Sequence, residues 1–169
     1  MAINTDLIQI PDNTSFLQTT KFSFVIPNLP FAKYFCQTVT LPSISTSEAL
    51  VSTPFSDTYR HGDKLVFDPF TITFLVDEDL RVWEETYIWL CTLTNPRQFK
   101  EFAPRFKEKY YDGILTINNN ANIPNLRIKF RNCHPTSLGT IQFATTDNAD
   151  ITPVCDLTIR YDIFEIERL

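Results

Sequence analysis

The chain has 169 residues, 43% of them hydrophobic, with fifteen Phe, six Tyr and two Trp, which is enough apolar surface for one domain with a real core and too little length for two. That composition excludes a chain disordered through most of its length. A formal net charge of −5 excludes a protein built to grip nucleic-acid phosphates, because such a grip needs a basic stripe.

In chain order, residues 1–14 (MAINTDLIQIPDNT) form a polar lead that is expected to be flexible, and residues 15–169 form a single β domain. The lead lacks a basic segment followed by an apolar one, and no apolar run reaches membrane length, so neither a secretion signal nor membrane insertion is expected. Short runs of β-branched and aromatic residues then alternate with polar ones. They predict strands at 21–26, 34–41, 48–52, 70–76, 113–118, 126–132, 140–145 and 156–166. Their spacing fits a sandwich or barrel better than βαβ units. One helix is predicted over about residues 78–94, with Leu80, Trp83, Tyr87, Leu90 and Cys91 on its core face. Asp77 or Asp79 is the expected N-cap, and Asn95-Pro96 the stop.

Between the second predicted strand and the fourth lies a polar stretch rich in Pro, Ser and Thr, roughly 43–68. It reads as a long exposed loop, with a turn at RHGD where Gly62 supplies a positive φ and Asp63 caps its own backbone. Charge is uneven. Residues 56–85 hold eight acidic against three basic side chains, whereas 96–110 hold five basic against two acidic. Such patches can meet head to tail on neighbouring copies, or be plain solvated surface. In the last predicted strand Cys155, Leu157, Ile159, Tyr161 and Ile163 face one way, and Asp156, Thr158, Arg160, Asp162 and Phe164 the other.

Signals for chemistry are sparse. Cys36, Cys91, Cys133 and Cys155 have no CxxC spacing and read as buried free thiols of a protein made in a reducing cytoplasm. A metal set would join His61 and His134 with Asp63 or Asp68, but no HxH or HExxH spacing supports it. A Cys133–His134 nucleophile is poorly motivated, since adjacent residues on a strand end point apart. Carboxylate pairs drawn from Asp77, Glu78, Asp79, Glu84 and Glu85 are better read as helix-start and exposed-face acids. Gly62, Gly113 and Gly139 are the chain's three glycines, and they build no phosphate cradle. No catalytic residue, cofactor or metal is therefore expected. Trp83 and Trp89 as a sugar-stacking platform form the best binding alternative, a carbohydrate-binding β-sandwich.

The order KFSFVIPNLPFAKYFCQTVTLPSIS, TPFSDTYRHGDKLVFDPFTITFLVDED, WEETYIWL, FRNCHPTSLGTIQF and DLTIRYDIFEI resembles the tail tube proteins of contractile-tailed bacteriophages over roughly residues 15–166. Tube-initiator subunits that seat the tube on the baseplate share this pattern. Within it, Thr40-Leu41-Pro42 matches the "LP" step, 43–68 the loop that reaches toward neighbours, Phe70–Asp79 the strand ending in acids, Leu80–Leu93 the helix, and Pro135–Gly139 a connector before a strand. The long lead and the insert QFKEFAPRFKEKYY (98–111) depart from it.

The resemblance implies a mainly β, tail-tube-like sandwich or barrel with one helix and a long extended loop. It implies a non-enzymatic virion protein of the viral tail, assembled in the host bacterial cytoplasm. Six copies would form a ring, and rings would stack into a tube through which viral DNA passes without specific binding. Sheath and baseplate proteins would be its partners, and a tube-initiator or baseplate hub ring is the alternative placement. Phe55, Tyr59, Arg60, His61, Asp63 and Lys64 are then the expected intersubunit residues, and Asp156 and Asp162 the expected lumen-facing ones.

Overall fold

A computed structural model describes residues 14–94, 109–145 and 152–169. The expected flexible lead, the Asn95-Pro96 stop, and most of the 96–110 basic stretch and the 98–111 insert lie outside them. The described elements run β1 (Phe22–Val25), α1 (Ala32–Phe35), β2 (Cys36–Val39), β3 (Ile44–Ser52), β4 (Asp57–Phe67) and β5 (Phe70–Leu75). There follow α2 (Arg81–Thr94), β6 (Tyr111–Asn118), β7 (Pro124–Leu138), β8 (Val154–Arg160) and β9 (Ile163–Arg168). All pairings are antiparallel. Seven strands form one sheet in the order β1-β6-β7-β8-β5-β2, with β9 also paired to β7, while β3 and β4 form a separate two-stranded ribbon. No helix among the described residues is long and apolar enough to cross a membrane.

The alternation of small and large apolar residues decides which face is core. In β5, Phe70, Ile72 and Phe74 are buried while Thr71, Thr73 and Leu75 turn outward. Leu115, Ile128, Phe130, Cys155, Leu157 and Ile159 extend that buried face across β6, β7 and β8. Phe70 stacks on Phe130 with centroids 4.6 Å apart and meets Phe24 edge-on at 5.8 Å, an aromatic centre that ties three strands.

The last predicted strand is two strands. Its alternation slips after Tyr161, so that Phe164 packs against the core and Ile163 points outward, the reverse of the expected faces. β7 slips at the same level, where Asn132 takes a left-handed backbone conformation with φ 55. The two slips are bound together. Asn132 donates from Nδ2 to Asp162 at 2.6 Å, Asp162 N–H donates to the Arg131 carbonyl at 3.0 Å, and the Asn132 N–H reaches Asp112 at 3.2 Å. This corner lets β7 pair with β9 in its first half and with β8 in its second.

The Pro135–Gly139 connector is mostly strand, because β7 runs to Leu138. Proline is tolerated there because β6 ends its pairing at Cys133, which leaves that half of β7 with a neighbour on one side. Residues 140–145 show the period of a strand but form none, since β7 and β5 already occupy both edges of β8. Residues 34–35 close the single helical turn α1, and β2 starts at Cys36.

α2 forms where predicted, and Asp77 receives the Arg81 N–H at 3.2 Å as a cap. Its buried stripe is Val82, Thr86 and Trp89, one position round from the predicted Trp83–Tyr87 face. Thr86 is acceptable in the core because its hydroxyl donates to the Val82 carbonyl at 2.8 Å. Trp83 and Tyr87 instead stack on each other at 5.6 Å on the flank of the helix.

Candidate assembly surface

The stretch expected to be a loop is a projecting hairpin. β3 and β4 pair with each other and with no other strand of the described chain, and every residue of β3 is exposed. Its root is fixed twice. Ser43 hydroxyl donates to the Asp68 carboxylate and Asp68 N–H to the Ser43 carbonyl, while Phe67 packs edge-on against Tyr161 at 5.9 Å and Phe164 at 5.7 Å. Its tip turns at Thr53–Ser56, where the Thr53 N–H donates to the Ser56 carbonyl at 3.2 Å. Phe55 at that tip is 99% exposed.

RHGD is not the turn that sequence reading expects. Gly62 lies within β4 and has no positive φ. The pairing jumps from Thr46 opposite Leu65 to Glu48 opposite His61, so Gly62, Asp63 and Lys64 face Ser47 alone in a bulge. A Cβ at position 62 would lie 2.8 Å from the Ser47 carbonyl carbon, which explains the glycine by close approach rather than by backbone conformation.

All six residues expected at an interface therefore sit on one arm: Phe55 at the tip, Tyr59, Arg60 and His61 along β4, and Asp63 and Lys64 in the bulge. Sequence reading missed Ile44, Leu50 and Leu65, which are as exposed as Tyr59 is in kind, at 47%, 56% and 53%. For Ile44 and Leu50 the signal was present in the alternation of ISTSEALVS, but serines and threonines between the apolar residues masked it.

The chemical alternatives find no constellation. His61 is on the arm, whereas His134 lies on β7 with its ring edge-on to Tyr110 at 5.3 Å. Among the described residues no group of three His, Cys, Asp or Glu side chains is placed to hold a metal. Asp79 is paired with Arg81 at 2.8 Å, and Glu85 is pushed above its ordinary pKa by burial first and by Asp77 second. Trp89 is buried and donates from its ring to the Lys109 carbonyl at 3.0 Å, so it offers no sugar platform. Cys133 and Cys155 are buried, while Cys36 and Cys91 are only half-buried.

The outward face of the sheet is polar. Arg127, Lys129 and Arg131 alternate along β7 and meet acids on both sides: Arg131 reaches Asp112 at 2.8 Å and Glu165 at 3.2 Å, and Lys129 reaches Glu167 at 3.1 Å. Hydrogen bonds from Lys129 hold the Glu167 carboxyl below its usual range, and those to Asp112 and Glu165 raise the Arg131 pKa further. Asp156 accepts from the Thr73 hydroxyl at 2.7 Å, and Asp162 takes the corner bond from Asn132. Both are exposed on the outward side, each already held by a neighbour within the chain.

Comparison with known proteins agrees with this architecture. A family model described as phage tail tube protein matches residues 8–167. The tail tube terminator protein of Enterobacteria phage T4 is 28% identical over 156 residues, covering 89% of this chain and 88% of that protein. In fold, the tube terminating cap of the anti-feeding prophage aligns with a TM-score of 0.66 at 15% identity, over 99% of this chain and 100% of that one. A chain of the six-fold symmetrised anti-feeding prophage baseplate aligns with a TM-score of 0.63 at 11% identity, over 92% and 97%.

Proposed function

Since the chain belongs to the phage tail tube protein family, we propose that it is a ring-forming subunit that closes the end of a contractile phage tail tube. The observation that carries this placement is the similarity to the T4 tail tube terminator, which runs through nearly all of both chains. Six copies form the ring, in keeping with the six-fold symmetry of the anti-feeding prophage baseplate whose fold it shares. Ring closure is heterologous, so each copy has to offer a projecting surface and a receiving one. The β3–β4 arm, with Phe55, Tyr59, Arg60, His61, Asp63 and Lys64, supplies the projecting surface. The polar outward face bearing Asp156 and Asp162 lines the lumen, and its paired charges together with the net −5 let viral DNA pass without adhering. Tube and sheath subunits are the partners, the virion tail is the location, and assembly takes place in the host cytoplasm. The protein's role is structural, without catalysis.

A repeating tube subunit or a baseplate ring is the second reading, supported by the near-equal fold similarity to a terminating cap and a baseplate chain. Mass photometry and negative-stain imaging of the purified protein separate the two. A terminator forms discrete rings that stop the elongation of co-purified tube subunits. Long tubes from this chain alone would favour the repeating-subunit reading instead, and a monomer that neither closes into rings nor caps tubes would sink both.

A further inference from the structure

Direct cross-strand partners share a face of a two-stranded ribbon. On one face of the arm the pairs are Ile44 with Phe67, Thr46 with Leu65, Glu48 with His61, Leu50 with Tyr59, and Ser52 with Asp57. On the other they are Ser45 with Val66, Ala49 with Arg60, and Val51 with Thr58. The bulge adds two residues to β4, so the alternation stays in phase on either side of it. The first face therefore carries five large apolar side chains, Ile44, Phe67, Leu65, Leu50 and Tyr59, broken by Thr46, by Glu48 with His61, and near the tip by Ser52 with Asp57. It begins at Phe67, which is packed on the core, and it runs out along the ribbon over Leu65, Leu50 and Tyr59, which stay exposed among the described residues. The second face is built from small and polar residues around Arg60, with its two valines set apart near the root and the tip.

We infer, building on the ring reading above, that the apolar face of the arm is the seat on a second copy of this chain, and that Thr58 lies on the side turned away from that contact. A free two-stranded ribbon is marginal in water, so this one needs cover. Eleven residues of β4 at ~3.3 Å each make the face ~36 Å long, and at ~10 Å wide it offers ~350 Å². Burying it against a neighbour removes ~700 Å² in total, about half of a standard interface, with body-to-body contact in a ring supplying the rest. A patch of this size rooted on the core fits a rigid, repeated contact between copies. Of the six residues assigned to the arm, Tyr59 and His61 fall in the seat, and Ile44, Leu50 and Leu65 join them.

The test compares the full-length chain with Leu50→Glu, with Tyr59→Ser as a milder change on the same face, and with Thr58→Glu on the other. Ring mass is read by mass photometry across a concentration series, amide exchange is read over residues 44–67, and thermal unfolding of each variant controls for folding. The expected result is that Leu50→Glu and Tyr59→Ser lower the ring population at least tenfold with unchanged melting, that Thr58→Glu assembles normally, and that arm amides gain protection only in rings. If Thr58→Glu alone abolished rings, the assignment of faces would be overturned. Rings that survive all three changes would mean that something other than a second copy covers the apolar face, which also overturns it. If the wild-type chain formed no rings, alone or with tube subunits, the ring reading itself would fall and this inference with it.

Discussion

Cys133 has no exposed surface, and burial pushes its thiol from an ordinary 9.0 up to about 12. Its folded pKa lies above the unfolded one, so the stabilisation is complete below about pH 9 and is lost as pH rises toward 12. Tyr161, raised from 10.0 to about 12 by burial and then by Asp68, adds to the same fall. Chemical denaturation at pH 7 and pH 11 is expected to show the wild type losing on the order of 2 kcal/mol through Cys133. Cys133→Ala, although less stable at pH 7, should show a shallower loss; an equal slope in both proteins would remove the thiol from the account. Phe70 is the packing counterpart, stacked on Phe130 and wholly buried. Phe70→Ala is expected to cost about 3–5 kcal/mol in the same experiment. That Cys133, Cys155 and Phe70 are core was legible from their positions in apolar alternation, whereas the burial of Thr86 was not, because its hydroxyl is satisfied within its own helix.

Among the elements, the corner where β7 and the β8–β9 pair slip together depends on one left-handed residue. Asn132→Val places a β-branched side chain at φ 55 and removes the bond to Asp162, so a loss of about 1–3 kcal/mol is expected. An Asn132→Val crystal structure with an unslipped β7, or an unchanged unfolding midpoint, would contradict this. Asp162 is a turn residue with no Gly, Pro or Asn beside it, too weak a signal against the alternation around it, so the segment reads as a single strand and only the partner strand shows the break. α2 teaches the same lesson by another route. Its existence was legible and Asp77 was one of two cap candidates with Asp79, but its buried side was not legible, since two adjacent stripes, Trp83–Tyr87 and Val82–Thr86–Trp89, have helical spacing. Packing against the sheet selects the stripe with the smaller residues beside Trp89. Asp77→Ala is expected to cost about 1 kcal/mol, read as a lowered melting temperature.

For the whole molecule, the arm and the body are separable in hydrogen bonding. The seven-stranded sheet closes from β1 to β2 without β3 or β4. Replacing residues 44–66 by a short Gly/Ser linker should leave a cooperative, folded body while eliminating rings. A body that unfolds on losing the arm would show that the hairpin is part of the core instead of an appendage. The outward ladder of Arg127, Lys129, Arg131, Asp112, Glu165 and Glu167 belongs to this scale as well. Because the Glu167 pKa is lowered, its share of stability is present at neutral pH and is lost on acidification through the folded value.

The sequence by itself determined a β domain with one substantial helix, an exposed stretch between the second and fourth predicted strands, and a core of alternating Phe, Ile and Leu. These follow from local period and composition, which each segment carries in its own residues, while the family was legible as a resemblance in the order of motifs. The tertiary structure decided which face of α2 is buried, where the last strand breaks, that residues 134–138 are strand and 140–145 are not, and that the arm is a ribbon with an apolar and a polar face. Each of those depends on a partner segment distant in the chain, and pairing energy between strands is not written in either strand alone.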